Sequence, residues 1–272
     1  MNVHSAAGDV FAAILERRRM GLPCVLATVV RTTGSTPRKN AARMLVDASG
    51  IVGTIGGGRI ENEVVEACRA LLAEGHGAKG KLVSFHLTHE LGMCCGGEME
   101  VFVEPIVPEA ALIVFGAGHV SRALVPLAKS VGFSPIVIDE PTEGGEEYAT
   151  HERFPDAARL ADSFDARDWT DLPLDENAYV VVVTRDHAVD QRLMESLIDK
   201  KLAYLGLIGS RRKIAVFRQR LEHKGFDVTD FERRVHAPIG LAIGAETPEE
   251  IAVAIVAELI QVRAARRGTP PL

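Results

Sequence analysis

At 272 residues, 47% of them apolar and 25% charged, the chain is too long for one small core and suits one large or two ordinary domains of a soluble globular protein. A formal net charge of -6 and an isoelectric point near 5.9 argue against a nucleic-acid surface. No apolar run reaches the length of a membrane span, the N-terminus carries no signal-peptide pattern, and four cysteines without a C-x-x-C pair fit reduced thiols in a cytoplasmic protein.

In chain order, Asp9 to Met20 places Val10, Phe11, Ile14 and Leu15 on one face and predicts an amphipathic opening helix, basic at its C-terminal end. Cys24 to Val30 is a β-branched run and reads as a buried strand with Cys24 in the core. The loop Arg31 to Arg43, RTTGSTPRKNAAR, then gathers hydroxyls beside Arg and Lys, a composition that suits an anionic ligand as well as a plain solvated connection. After a short strand at Met44 to Asp47, the stretch IVGTIGGGRIENEVVEACRALL reads as strand, glycine cluster and helix. Ile60, Val64, Cys68 and Leu71 form its stripe, and Gly56, Gly57 and Gly58 ahead of a helix N-terminus are a candidate anion cradle without the Lys-Ser/Thr of a Walker loop. Lys81 to Leu87 and Met99 to Val107 are further strands, and between them lie vicinal Cys94 and Cys95 followed by Gly96 and Gly97. Adjacent cysteines rarely bridge each other, so this is read as a loop thiol whose local amides lower its pKa, or as an incidental one.

Val107 to Ala110 reads as a linker, dividing the chain into domains at 1–107 and 111–272. The second opens with an apolar strand at Leu112 to Phe115, a turn at Gly116 and Gly118, a helix containing Pro126 and a second strand ending in Asp139. This is the first β-α-β unit of a doubly wound domain: the glycines let the backbone approach a phosphate at the helix N-terminus, and the acid can accept from a ribose diol. Ser121 stands where the dinucleotide fingerprint has its third glycine. Pro126 is expected to kink the helix, and Pro141 to Glu147 to form a mobile acidic loop. Phe154 to Pro173 is read only as strand plus irregular turns. Tyr179 to Thr184 is a buried strand with Arg185, Asp186 and His187 at its ligand-side end, and Asp190 to Lys200 a helix. Tyr204 to Ile208 is the next strand, and it runs into Gly209, Ser210, Arg211, Arg212 and Lys213. Cations at that helix N-terminus are relieved by a bound anion, or are simply solvated. Thr247 to Glu250 combine a capping box with a first-turn proline and open the last helix.

Taken together, TTGSTPR, GTIGGGRIE, CCGGEMEVFVEP, VFGAGHV, TRDHAVD, GLIGSRRK and HAPIGLAIGAETPEEIAVAI resemble, in order, the signatures of the XdhC/CoxI family of xanthine dehydrogenase accessory proteins. The resemblance implies a Rossmann-like doubly wound parallel sheet preceded by a smaller mixed α/β N-terminal domain. It also implies a non-enzymatic chaperone that binds the molybdenum cofactor in its molybdopterin or dinucleotide form and protects it while a cysteine desulfurase installs its sulfur. Such a chaperone then helps insert the cofactor into a xanthine dehydrogenase-type molybdenum hydroxylase. A homodimer is implied as well. The residues matched to cofactor binding are Ser35, Thr36, Arg38, Gly56, Gly57, Gly58, Cys95, Gly96, Gly97, Gly116, Gly118, His119, Asp139 and Arg211, with Cys95 the thiol best suited to meet the metal. Two alternatives remain open: an NAD(P)-dependent oxidoreductase, for which His119, His187 and His236 are the candidate acids or bases, and a thiol-redox protein using Cys94 and Cys95.

Overall fold

The computed structural model describes residues 4–5, 9–33, 41–75, 78–87 and 97–266. The chain divides into two compact units, the first built on Met1–Pro108 and the second on Glu109–Ala265.

Unit 1 contains β1 (His4–Ser5), α1 (Val10–Arg19), β2 (Cys24–Thr33), β3 (Arg43–Val46), β4 (Ile51–Gly53), α2 (Gly58–Ala73), β5 (Lys81–Leu87) and β6 (Gly97–Ile106). Its sheet has the order β1-β4-β3-β2-β6-β5, antiparallel except for the β1–β4 pair. Alternation along β2 sends Val25, Ala27 and Val29 to one face, where they meet Ile60, Val64, Val65, Cys68 and Leu71 of α2. That stripe is the one the sequence spacing predicts. Cys24 turns to the other face, with Leu45 and Ala13 of α1.

The opening helix differs from its expectation. Val10 and Ile14 are partly covered, but Phe11 and Leu15 are 56% and 57% exposed. Each lies one residue, and so about 100° of helix rotation, beyond Val10 or Ile14. What docks α1 is Ala13 together with Arg17, whose Nε donates to Asp47 Oδ2 in the β3–β4 turn.

Unit 2 contains β7 (Ala110–Phe115), α3 (His119–Ser130), β8 (Phe133–Ile138), β9 (Arg159–Ala161), β10 (Tyr179–Val182), α4 (His187–Leu197), β11 (Tyr204–Leu207), α5 (Arg211–His223), α6 (Phe231–Arg234) and α7 (Pro248–Arg266). All five strands are parallel, in the order β11-β10-β7-β8-β9, and His236 adds a single parallel bridge beside Gly206. From the β9 edge this is 3-2-1-4-5 with the sixth strand reduced to that bridge, the doubly wound order. Strands β7 and β10 are buried on both faces because helices cover both sides. Val180, Val182 and Phe115 face α4 and α5, and Leu112, Val114 and Val181 face α3 and α7.

The segment Phe154 to Pro173 resolves into the three-residue β9 and one 3-10 turn at Ala166–Asp168, after which Trp169 packs on Phe115 with ring centroids 4.9 Å apart. Helix α4 starts at His187, three residues before the expected Asp190, because the Asp186 side chain accepts from the Ala188 and Val189 amides and caps it there. Helix α3 runs unbroken through Pro126. Among the described residues no helix is long and apolar enough to cross a membrane.

Candidate functional site

The glycine turn after β7 lies at the C-terminal edge of the parallel sheet, and its two glycines are there for different reasons. Gly116 has φ +107, and a Cβ on it would stand 2.7 Å from the Val183 carbonyl oxygen and 2.9 Å from the Thr184 Cα. It is glycine because the β10–α4 connection passes against it. Gly118 has an ordinary extended backbone, φ -80 and ψ -166, and nothing within 4 Å of an added Cβ. Neither strain nor crowding requires a glycine there. It is the N-cap of α3 and offers no side chain to the free amides of that helix, whose first turn also contains no acid. Bare amides at a positive dipole end, beside space that a side chain would fill, fit a phosphate group. His119, the first residue of α3, is exposed at the same edge.

Two side chains hold this turn in shape. Ser121 Oγ donates to the Gly116 carbonyl, so the residue that replaces the third glycine pins the turn to α3. Asp139, 7% exposed, accepts from the Ala117 amide at 2.8 Å. Burial pushes the Asp139 carboxyl above the usual range, against the opposing pull of the Ala117 amide and of Arg185. The acid assigned by position to a ribose diol thus also ties β8 to the glycine turn. Arg185 lies 3.8 Å from Asp139 and 4.0 Å over the Tyr148 ring, which also carries Arg153 at 4.6 Å.

Past the ends of β10 and β11 lies a constellation that the sequence did not join. Lys213 Nζ donates to Asp190 Oδ2 at 2.7 Å and to the Ile208 carbonyl at 2.9 Å, and Thr184 Oγ1 donates to Asp190 Oδ1 at 2.6 Å. A Cβ on Gly209 would stand 2.5 Å from Lys213 Cδ, so that glycine makes room for the lysine stem. Of the cations predicted at this helix N-terminus, Lys213 is neutralised by Asp190, whereas Arg211 and Arg212 are exposed. The available signals were an Asp in TRDHAVD and a Lys in GLIGSRRK, but their spacing carries no local periodicity. Asp139 with Gly116, Gly118 and His119 forms one locality; Arg211 stands at the N-terminus of α5.

In unit 1 two amides of the predicted anion cradle are already taken by the protein's own side chains, Gly57 by Glu61 and Gly56 by Thr54. Glu61 Oε2 accepts from the Ile55 amide at 3.2 Å, the Gly57 amide at 3.0 Å and Thr54 Oγ1, while the Gly56 amide donates to Thr54 Oγ1. An external anion at the Gly57 amide would compete with Glu61. Ser35, Thr36, Arg38, Cys94, Cys95 and Gly96 lie outside the described residues, and Gly97 opens β6 opposite Leu87. Among the described residues no group of three or more His, Cys, Asp or Glu could hold a metal ion.

A parallel sheet in doubly wound order, with a glycine turn feeding an uncapped helix, defines a Rossmann-type domain. The family model described as the XdhC Rossmann domain matches residues 112–259, and that of the XdhC and CoxI family matches residues 17–86. The chain belongs to the XdhC/CoxI family. It is 36% identical over 262 residues to the uncharacterized protein YqeB of Escherichia coli K12, covering 94% of this chain and 46% of that protein. It is 36% identical over 163 residues to a probable xanthine dehydrogenase subunit of Bacillus subtilis, covering 60% of this chain and 46% of that one. The chain therefore spans about half the length of these curated relatives. A crystal structure described as a xanthine dehydrogenase from Bacillus halodurans aligns with a TM-score of 0.51 at 23% identity, covering 96% of this chain and 97% of that one, a likeness of fold.

Proposed function

We propose that this protein is a maturation factor that binds the molybdenum cofactor, protects it during sulfuration by a cysteine desulfurase and helps insert it into a xanthine dehydrogenase-type molybdenum hydroxylase. Gly118 carries the reading: a glycine that backbone geometry does not require, at an uncapped helix N-terminus, supports a phosphate-bearing ligand. The cofactor supplies a pterin with an anionic phosphate and a soft dithiolene-bound metal. The α3 amides and Gly118 would hold the phosphate, and the Cys95 thiol would meet the metal. A relative named as a probable xanthine dehydrogenase subunit supports the choice of partner. Action in the cytoplasm and as a homodimer belongs to the same proposal.

A second reading, an NAD(P)-dependent oxidoreductase, is favoured by the strand order and by Asp139 at the end of β8. One experiment separates the two. The purified full chain is incubated with the molybdenum cofactor, and separately with NAD and NADP, and the co-eluting ligand is quantified. Retention of the molybdenum cofactor alone supports the maturation factor; retention of NAD or NADP alone replaces it with the second reading.

A further inference from the structure

Helix α7 turns its body charges inward and an apolar stripe outward. Ala252, Ile255, Val256 and Leu259 pack with Leu112, Val114 and Val181 of the second sheet. Two charged side chains of the helix body serve the same domain: Glu258 accepts from Tyr204 OH and the Gly240 amide and meets His236, and Arg263 donates to the Val131 and Gly132 carbonyls. The other side carries Val253, Ala257, Ile260 and Ala264, whose spacing of i, i+4, i+7, i+11 keeps them within about 60° of helix rotation, with Gln261 at the margin. Val253 is 50% and Ile260 38% exposed, and both alanines are partly so. A helix body apolar on both faces belongs to a buried helix, so this open face marks an interaction surface.

The stripe is its own complement when reversed. It alternates branched and small residues, and a second copy turned end to end about a point between Ala257 and Ile260 sets Ala257 against that copy's Ile260, and Val253 against its Ala264. Each branched side chain then meets an alanine, the matching of large to small that lets two helices approach to about 8–10 Å. The helix ends agree with this direction. Glu249 and Glu250 stand in the first turn of α7 and Arg263 and Arg266 near its end, so reversal brings acidic ends beside basic ones and opposes the two dipoles. A parallel pair would set like charges together.

We infer that two copies of this chain pair through the outer face of α7, antiparallel about a two-fold axis that passes between Ala257 and Ile260. Such an interface is isologous and closes at two copies. The inference rests on the homodimer of the proposed function and names its interface. It uses no residue of the glycine-turn crevice.

The test is sedimentation equilibrium of the full chain, with circular dichroism as the check on folding. The parent is expected to dimerise, and Ile260→Glu and Ala257→Lys each to weaken the dimer at least about tenfold. An equal mixture of these two variants should restore it, because the new ammonium of one copy then faces the new carboxylate of the other. Val253→Glu, at the most exposed position of the stripe, replaces either variant that fails to fold, and should dissociate the dimer as well. A parent dimer that survives these changes, or Ile260→Glu and Ala257→Lys chains that dissociate without restoration on mixing, would overturn this interface and leave the homodimer standing. A parent that is monomeric throughout would overturn both.

Discussion

Lys213 Nζ lies 2.7 Å from Asp190 Oδ2 and joins the first turns of α5 and α4 through side chains that are 12% and 0% exposed. Thr184 and the Ile208 carbonyl complete the pair's hydrogen bonds, so neither charge is stranded. A buried pair of this kind adds little net stability, but removing one partner is expensive because the other charge remains.

Lys213→Met should therefore cost about 3–5 kcal/mol in urea unfolding, and the double change Lys213→Met with Asp190→Leu should recover much of that loss. A Lys213→Met protein within about 1 kcal/mol of the parent would show that the pair is solvated after all.

The two glycines of the β7–α3 turn should separate stability from binding. Gly116→Ala meets the Val183 carbonyl at 2.7 Å in a left-handed backbone region and should lower the melting temperature clearly. At Gly118 a Cβ has nothing within 4 Å, so Gly118→Val should fold normally, yet lose affinity for any phosphate-bearing ligand of the crevice. Melting curves and ligand retention, measured for both variants, check the contrast; unchanged retention in Gly118→Val would make the turn purely structural.

Such contrasts also show what the sequence could convey. Strands β7 and β10 and the stripe of α2 are legible because burial on one or both faces leaves an unbroken or periodic apolar pattern. Strand β9 is not, since its three residues are Arg159, Leu160 and Ala161 and none is fully buried. The Lys213–Asp190 pair joins residues 23 apart, and nothing in local spacing announces it. At the Gly56 to Gly58 cluster the glycines are visible, but not that Glu61 turns back onto the Gly57 amide; an acid in the first turn after a glycine run is the signal that could have revealed it.

The edge of the second sheet predicts a pH dependence. Glu258 accepts from Tyr204 OH, from the Gly240 amide at 2.9 Å and meets His236 Nδ1 at 2.9 Å. Burial opposes its ionisation, but His236, Tyr204 and Gly240 outweigh burial and hold the carboxyl below its usual range. A carboxyl with a depressed folded pKa gives stability that is full above its unfolded value, about 4.3, and is lost as pH falls through the folded value. Asp47, also depressed, acts in the same sense, whereas the raised Asp139 acts in the opposite one. Glu258→Gln should cost about 1–3 kcal/mol at pH 7, and that cost should shrink between about pH 5 and pH 3. Denaturant curves of both proteins across that range test it, and a pH-independent difference would contradict the assignment.

The thiols give the last prediction. Cys24 and Cys68 are both 0% exposed, and burial pushes their thiols up to about 11 and about 12. Thiolate is the reactive species, so neither should react with a maleimide at neutral pH in the folded protein, while all four cysteines should react in denaturant. Labelling of the native chain should fall on Cys94 and Cys95 alone, as peptide mass mapping would read it. Cys68→Ala removes a sulfur from the α2 stripe and should cost about 1–3 kcal/mol of stability. Cys95→Ala should instead leave stability near the parent value and weaken retention of the molybdenum cofactor. If Cys68 labels as fast as Cys95 in the native chain, α2 does not seal the first core; if Cys95→Ala and Cys94→Ala both retain the cofactor fully, the metal is held without a thiol from this loop.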